Sequence, residues 1–400
     1  MSLPNDGSGR APVAIVTPTT SVTSGVEVTK KLVGAAIAFG DLLAGTLGPN
    51  GLDKMMYKTN GQTAVTNDGA KIVAELLVKH PAAKAFVALA QSQENACGDG
   101  VTSCLLIASN LMREAGRLFD KKLHPLVLVD GYQKALEITL QTLESKIITI
   151  RPDSIDDLRK VAKTAMSGTS AEAGGDLMAN LVVTAAQLVA GERDGNLHIS
   201  TEDVRMSKRG VGSIGDSRII AGLIIEKRLE LDRLPKSLDA GKVLVLSCPL
   251  QIESTTRDVE IEVEDSEQWA SFMDVEEEKL QLKAQQVISS GASLVFTAEG
   301  VEARILHTLV DAGIFVLGGL EKAGAEDIAL ATGAQMIDHL DDISPEILGD
   351  FSELKIETLE GAEGRRERIH LLVGQQTGIA TIDVGGGDGV ASEEVIRGLY

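Results

Sequence analysis

The chain has 400 residues, of which 44% are hydrophobic and 24% charged, a composition typical of globular proteins. Its 58 Asp and Glu residues outnumber its 38 Lys and Arg residues, which gives a formal net charge of −20. This excess of negative charge repels phosphate backbones and anionic lipid headgroups, so neither nucleic acid nor a membrane is expected as a partner. A length of this order suggests two or three domains.

The cysteines and the N-terminal residues indicate the compartment. Cys97, Cys104 and Cys248 form no CxxC pair and are odd in number, which favours a reducing cytoplasm over a disulfide framework or a zinc site. The N-terminus has no basic start followed by a long apolar run, so we expect no secretory signal. Residues 32–48 form the most apolar stretch, but Asp41 and several glycines interrupt it. We therefore predict a buried helix there and not a membrane span.

The first 145 residues are predicted to be nearly all helical, with one hairpin. Apolar residues recur at helical spacing over residues 27–47, and this helix ends at the turn Gly48-Pro49-Asn50-Gly51. Two short strands follow around Asn60-Gly61, a pair typical of tight hairpins because both turn positions need positive φ. Residues 1–24 are expected to form a loose arm. The same criteria predict further helices at residues 70–78, 81–94, 101–119 and 126–147.

The second part of the chain changes character after Arg151-Pro152. Two helices are predicted over residues 154–190, broken at Ser167-Gly168-Thr169. Farther on, apolar runs of strand length alternate with helical stretches. The runs lie at residues 242–250, 292–298 and 313–317, and the helices at 268–289, 302–311 and 325–332. This alternation predicts a parallel sheet with flanking helices, so the expected fold class is multi-domain α and α/β. The glycine run at 385–389 is interpreted as a connection between a strand and a helix, and Trp269 as a core residue.

The sequence Gly98-Asp99-Gly100-Val101-Thr102-Ser103 is the first candidate for a phosphate site. Glycines before a helix let backbone N–H groups approach a phosphate, and the hydroxyls of Thr102 and Ser103 can bond its oxygens. Asp99 beside a phosphate is repulsive unless a cation lies between them, which implies Mg²⁺. On this motif alone an ordinary turn, with Asp99 as N-cap and the hydroxyls capping the helix, is the favoured interpretation.

Two further turns in the same third of the chain could complete such a site. Thr46-Leu47-Gly48-Pro49 ends a helix and could close over a nucleotide. Asn67-Asp68-Gly69 could supply a carboxylate that orients an attacking water. Each is also an ordinary turn by composition. The chain has neither GxxxxGK[ST] nor a GxGxxG after a strand, so a phosphate site here would be of another type.

The order and spacing of these motifs resemble those of the group II chaperonins, the thermosome family. The sequences that carry the resemblance are TLGPNGLDKM, TNDGAKIV, HPAAKAF, GDGVTS and HPLVLVDGYQKAL, followed by TAMSG, CPLQIE, ATGAQMI and DDISPEILG. A single GDG is weak evidence, but the ordered set is specific and extends over essentially the whole chain.

The resemblance implies a subunit of three domains. Residues 1–145 would be the first part of a mostly helical, ATP-binding equatorial domain with one hairpin, and residues 146–212 the first part of an α/β intermediate domain. Residues 213–370 would be an α/β apical domain that binds unfolded protein, with a helical protrusion near 249–272 that serves as a built-in lid. Residues 371–400 would return to the intermediate domain.

The resemblance also implies roles for the motif residues. Those that would line the nucleotide are Thr46, Leu47, Gly48, Pro49 and Asn67, and those around the phosphates are Gly98, Gly100, Val101, Thr102 and Ser103. Asp99 would bind Mg²⁺, and Asp68 would help to position the hydrolytic water. Val101 stands where the family usually has Thr, which removes one hydroxyl but keeps the backbone N–H.

Length is the larger departure from the family, whose subunits run well past five hundred residues. The closing part of the equatorial domain would be missing here, together with an Asp essential for hydrolysis that aligns one position beyond Tyr400. On this basis the chain is expected to be a portion of a longer protein and, as written, not to hydrolyse ATP.

The function expected from these observations is that of an ATP-dependent molecular chaperone that encloses unfolded protein in a double ring. The expected cofactors are ATP and Mg²⁺, and the expected partners are unfolded or partly folded polypeptides and sister subunits. The alternative is a chaperonin-derived scaffold that binds partners without hydrolysis. A metabolic α/β enzyme is disfavoured because the predicted sheet carries no pair of nucleophile and base.

Overall fold

The computed structural model of the chain describes residues 24–57, 63–76, 78, 80–193, 196–229, 231, 234–252, 266–361, 364–374, 378–387 and 389–400. The chain divides into two compact units, Met1–Thr149 and Ile150–Tyr400. The arm expected at residues 1–24 lies outside the described residues except for Ser24, and so does the central part of the expected protrusion, residues 253–265. Among the described helices, none combines the length and apolarity that crossing a bilayer requires.

The first unit is mainly helical. Its elements are α1 (Val26–Leu43), β1 (Lys54–Tyr57), β2 (Thr63–Thr66), α2 (Gly69–Ala74), α3 (Pro81–Cys97), α4 (Val101–Asp120) and α5 (Pro125–Glu144). A 3₁₀ turn at Ala44–Thr46 follows α1, and β1 and β2 pair as an antiparallel hairpin. The predicted helices and the pairing of the two strands are therefore confirmed, although α2 ends at Ala74 and not at residue 78. The predicted turn Asn60-Gly61 lies outside the described residues.

Helices α1 and α4 pack closely because small residues lie between them. A Cβ built on Gly40 would lie 2.0 Å from Ser109 Oγ, and one built on Gly116 would lie 2.8 Å from Val33 Cγ1. Positions later in α1 thus meet positions earlier in α4, so the two helices are antiparallel. The same register brings the chain that follows α1 level with the first turn of α4.

The described part of the second unit contains a seven-stranded sheet, a three-stranded sheet, a two-stranded sheet and their helices. Its elements are α6 (Ile155–Met166), α7 (Gly175–Val189), β3 (Gly191–Arg193), β4 (Asn196–His198), β5 (Val204–Lys208), β6 (Arg218–Ile220), β7 (Gly222–Glu226), β8 (Ser237–Leu246), α8 (Ser266–Ser289), β9 (Leu294–Thr297), α9 (Ala303–Asp311), β10 (Phe315–Leu317), α10 (Lys322–Thr332), β11 (Met336–Ile337), β12 (Gly349–Gly361), β13 (Gly364–Leu372), β14 (Ala380–Val384) and α11 (Val390–Leu399).

The large sheet of this unit is mixed. Its strand order is β10–β9–β8–β12–β13–β7, with β11 beside the end of β8. Strands β8, β9, β10 and β11 are parallel, as the alternation of apolar runs and helices predicts. Strands β12, β13 and β7, which that prediction did not include, are antiparallel. The reason is that β12 and β13 form a long hairpin, and a short connection can only join antiparallel neighbours.

The continuous apolar run in β8 is explained by burial on both faces of the strand. Val243 and Val245 belong to one hydrophobic core, and Leu244 and Leu246 belong to the other. All four side chains are fully buried. A strand with helices over both faces has no polar face, so it loses the alternation that marks a half-exposed strand.

Two smaller predictions had different outcomes. The glycine run after residue 384 connects β14 to α11, as predicted. Trp269 is 56% exposed, so its interpretation as a core residue is wrong. In the described part of α8, buried positions begin only at Leu280, and Trp269 lies more than two turns before that point.

A cluster of charged side chains joins the large sheet to the small sheet, whose strand order is β5–β14–β6. We call it the junction cluster; its members are Arg209, Arg218, Glu226, Glu357, Arg368, His370 and Asp383. Arg368 and Asp383 at its centre are both fully buried. Arg368 donates from Nη1 and Nη2 to both oxygens of Asp383, at 3.1 and 2.6 Å. It also donates from Nε to Glu226 Oε1 at 3.1 Å and from Nη2 to Ser207 Oγ at 2.6 Å.

Glu357 and His370 form the other end of the cluster. Because a carboxylate can only accept, the His370 Nε2–H donates to Glu357 Oε2, at 3.0 Å. Burial alone would raise the pKa of Glu357, but the hydrogen bond and charge of Arg218, with the charge of Arg209, lower it. Burial, followed by the charge of Arg218, lowers the pKa of His370 from its ordinary value of 6.5.

Acidification should therefore destabilise the second unit. Below about pH 6.5, His370 takes up a proton in the unfolded chain more readily than in the folded chain. The free energy of unfolding therefore decreases as the pH is lowered through this range. The substitution His370→Gln keeps a donor toward Glu357 but cannot titrate, and should flatten the pH dependence of the free energy of unfolding between about pH 7 and pH 5. Urea unfolding at stepped pH measures this, with exposed His339→Gln as the control. Parallel pH profiles for wild type and His370→Gln would contradict the prediction.

Candidate functional site

Helix α4 begins without a side-chain cap. Its N-cap residue is Gly100, with φ 81° and ψ 8°, and no side chain among the described residues caps the first turn. The first hydrogen bond of the helix runs from Cys104 N–H to Gly100 O at 2.9 Å, so the N–H groups of Val101, Thr102 and Ser103 have no partner within the helix. The helix dipole adds partial positive charge at this end, which suits an anion. The neighbouring helices α2, α3 and α5 instead begin at the side-chain caps Asp68, His80 and His124.

The loop before α4 is held in a conformation that favours glycine. Gly98, which ends α3, has φ 67°, and Gly100 is likewise left-handed. Asp99 lies between them, exposed, and its Oδ1 accepts from Gly100 N–H at 2.5 Å. Its carboxylate therefore bonds within its own loop and does not cap α4. The interpretation in which Asp99 is the N-cap of this helix is wrong.

The turn at Asn67-Asp68-Gly69 packs against the first turn of α4. A Cβ built on Gly69 would lie 2.4 Å from Thr102 Oγ1 and 3.1 Å from Thr102 N, so only glycine allows this approach. Asp68 Oδ1 accepts from Ala70 N–H at 2.9 Å and caps α2. This bond fixes the half-buried carboxylate next to the contact between Gly69 and Thr102.

The turn at residues 46–49 follows the part of the chain that contacts α4. The 3₁₀ turn after α1 contacts α4, in agreement with the antiparallel register of the two helices. Thr46 is buried, and its Oγ1 donates to Leu43 O at 2.9 Å, so its hydroxyl serves the end of α1. Leu47 is 50% exposed, and Gly48 has φ 82°. Leu47 and the exposed Gly48 and Pro49 are thus the part of this motif that a ligand can reach.

Val101 is the first residue of α4. Its side chain is 3% exposed and packs with Leu43 and Leu105 in the core of the first unit. The valine therefore contributes to packing, while its backbone N–H stays in the first turn of α4.

Asp99 is the carboxylate of this loop that could hold a divalent cation. Among the described residues, no group of three or more His, Cys, Asp or Glu side chains is placed to hold a metal ion. Mg²⁺ commonly binds through one or two carboxylates and takes its other ligands from phosphate oxygens and water. The exposed carboxylate of Asp99, next to a helix end suited to phosphate, fits that mode of binding.

Gln93 contacts this loop, which the sequence did not indicate. It lies on α3, and its Nε2 donates to Asp99 O at 2.9 Å. A single glutamine among the polar positions of a helix has no motif around it. A separation of six residues is not a spacing at which helical neighbours meet, so the sequence carries no local signal for this contact.

Comparison with known proteins agrees with the motif order. Residues 39–400 match the TCP-1/cpn60 chaperonin family. Thermosome subunit beta of Archaeoglobus fulgidus is 32% identical over 388 residues, which covers 97% of this chain and 70% of that protein. A thermosome subunit of Methanopyrus kandleri is 34% identical over 337 residues, covering 84% of this chain and 62% of that protein. Thermosome subunit alpha of Thermoplasma acidophilum is 30% identical over 390 residues, covering 96% and 70%. The chain thus spans 62 to 70% of the length of these relatives, and it belongs to the TCP-1/cpn60 chaperonin family.

Proposed function

We propose that the chain is a chaperonin subunit that binds Mg·ATP at the N-terminal end of α4 and uses it in the ATP-dependent folding of other proteins. The observation that carries this proposal is the uncapped first turn of α4, preceded by two left-handed glycines and contacted by Gly69. The family relationship supports the same assignment, because the relatives are thermosome subunits.

The phosphates would lie at the first turn of α4. The N–H groups of Val101, Thr102 and Ser103 would donate to phosphate oxygens, together with the hydroxyls of Thr102 and Ser103. Gly98 and Gly100 allow the backbone to approach closely. Asp99 would hold Mg²⁺, which when bound offsets the charge of the phosphates.

The rest of the nucleotide would extend toward residues 46–49 and Asn67. Leu47 offers an exposed apolar side chain against which a base or ribose can pack. Asp68 would orient the attacking water, and the bond from Ala70 N–H holds its carboxylate for that role.

The partners would be unfolded or partly folded polypeptides and sister subunits in a ring. The second unit supports the first of these, since Trp269, Phe272 and Met273 expose large apolar side chains on the N-terminal part of α8. An unfolded chain exposes apolar groups that such a surface can bind.

Amide hydrogen exchange tests the nucleotide site directly. Mg·ATP should slow the exchange of the N–H groups of Val101, Thr102 and Ser103 relative to the chain without nucleotide, and should also protect the turns at 46–49 and 67–69. Helix α11 is a matched control, because it too begins at a glycine, Gly389, without a side-chain cap. Protection at α11 in place of α4, or at neither helix, would contradict the proposal.

A further inference from the structure

The connection between α3 and α4 consists of three residues, and two of them are glycines. Gly98 has φ 67° and Gly100 has φ 81°, and neither has a side chain that could anchor the loop. The exposed side chain of Asp99 packs into no core. The conformation of this loop therefore depends on the hydrogen bonds that its backbone makes.

Gln93 makes one of these bonds from outside the loop. Its Nε2 donates to Asp99 O at 2.9 Å and lies 3.3 Å from the point that a Cβ of Gly100 would occupy. Gln93 is half-buried, whereas Gln91 on the same helix is exposed. The amide of Gln93 thus rests against the peptide that joins Asp99 to Gly100.

Holding this carbonyl also orients the Asp99 carboxylate. In a trans peptide the C=O and the N–H point in opposite directions, so fixing Asp99 O fixes the direction of Gly100 N–H. That N–H donates to Asp99 Oδ1 at 2.5 Å. The bond from Gln93 therefore determines, through one rigid peptide plane, where the carboxylate points.

We propose that Gln93 is a positioning residue for the Asp99 carboxylate and that it tunes the Mg²⁺-dependent part of ATP binding. The inference rests on the proposed binding of Mg·ATP at α4. Gln93 itself touches neither the metal nor the phosphates in this assignment. Its effect should therefore appear where Asp99 acts and vanish where Asp99 is removed.

The test compares the affinity for ATP in Mg²⁺ with the affinity in EDTA, using the full 400-residue chain and calorimetric titration. Gln93→Met has nearly the same shape but no donor, and it should weaken binding in Mg²⁺ about tenfold while changing binding in EDTA less than about threefold. Gln93→Glu also lacks the donor and should lower the Mg²⁺ affinity in the same way. Gln91→Met is the matched control and should bind as wild type does.

A bond that merely stabilised the end of α3 would lower the melting temperature without changing the ratio of the two affinities. The decisive comparison uses Asp99→Ala as a second background. When Gln93→Met is added to Asp99→Ala, the ratio of the ATP affinities in Mg²⁺ and in EDTA should stay unchanged, because Gln93 acts only through Asp99. If wild type depends on Mg²⁺ as expected, but the ratio of the ATP affinities in Mg²⁺ and in EDTA is the same in Gln93→Met and Gln93→Glu as in wild type, the role of Gln93 is overturned. The proposed nucleotide site would then still stand. A wild-type chain that binds ATP equally in Mg²⁺ and in EDTA would overturn the proposed Mg²⁺ site as well.

Discussion

Replacing Arg368 by alanine should destabilise the second unit by about 3–5 kcal/mol, the loss typical of breaking a buried ion pair from one side. Asp383 would remain fully buried, and the bidentate bonds from Arg368 are its closest compensation. Urea unfolding followed by circular dichroism and by the fluorescence of Trp269, the single tryptophan of the chain, measures the change.

Two further variants distinguish the cost of leaving a buried charge without a partner from the cost of losing any arginine. Arg304 has three carboxylate partners, but its side chain is 41% exposed, so Arg304→Ala should cost much less. Arg368→Met combined with Asp383→Leu should recover most of the stability, because no fully buried charge then lacks a partner. A cost for Arg368→Ala no larger than that for Arg304→Ala would show that the junction cluster does not hold the two sheets together.

The helices and the parallel strands could be predicted because their signals are local. The apolar spacing that defines α4 and the continuous run in β8 lie within single segments of the sequence. The hairpin of β12 and β13 was not anticipated, although Leu354 and Ile356 alternate with charged residues in the way of a half-buried strand. Its pairing with β8 joins residues more than a hundred positions apart, which no local pattern specifies.

The junction cluster could not be predicted for the same reason. Charged residues at alternate positions of β13 suggest a solvated face, and the burial of Arg368 follows only from the packing of one sheet on another. The site motifs were recognisable because each is a short turn with a fixed composition. The contacts between those turns, such as Gly69 against Thr102, depend on how α2, α3 and α4 pack.

Removing the charge of Asp99 should abolish the advantage that Mg²⁺ gives to ATP binding. The carboxylate is exposed and lies beside the helix end proposed to hold the phosphates, so without a cation it repels them. Asp99→Asn keeps an oxygen that can accept from Gly100 N–H and so preserves the loop, while the charge is lost. Because the side chain is exposed, the free energy of unfolding should change little.

Calorimetric titration of ATP into the wild type and Asp99→Asn, in Mg²⁺ and in EDTA, measures this effect. Wild type should bind at least about tenfold more tightly with Mg²⁺, and Asp99→Asn should show no such difference. In EDTA the variant should bind more tightly than wild type, because one negative charge near the phosphates is gone. An Asp99→Asn chain that keeps the full Mg²⁺ dependence of wild type would contradict the assignment of the nucleotide site to the N-terminal end of α4.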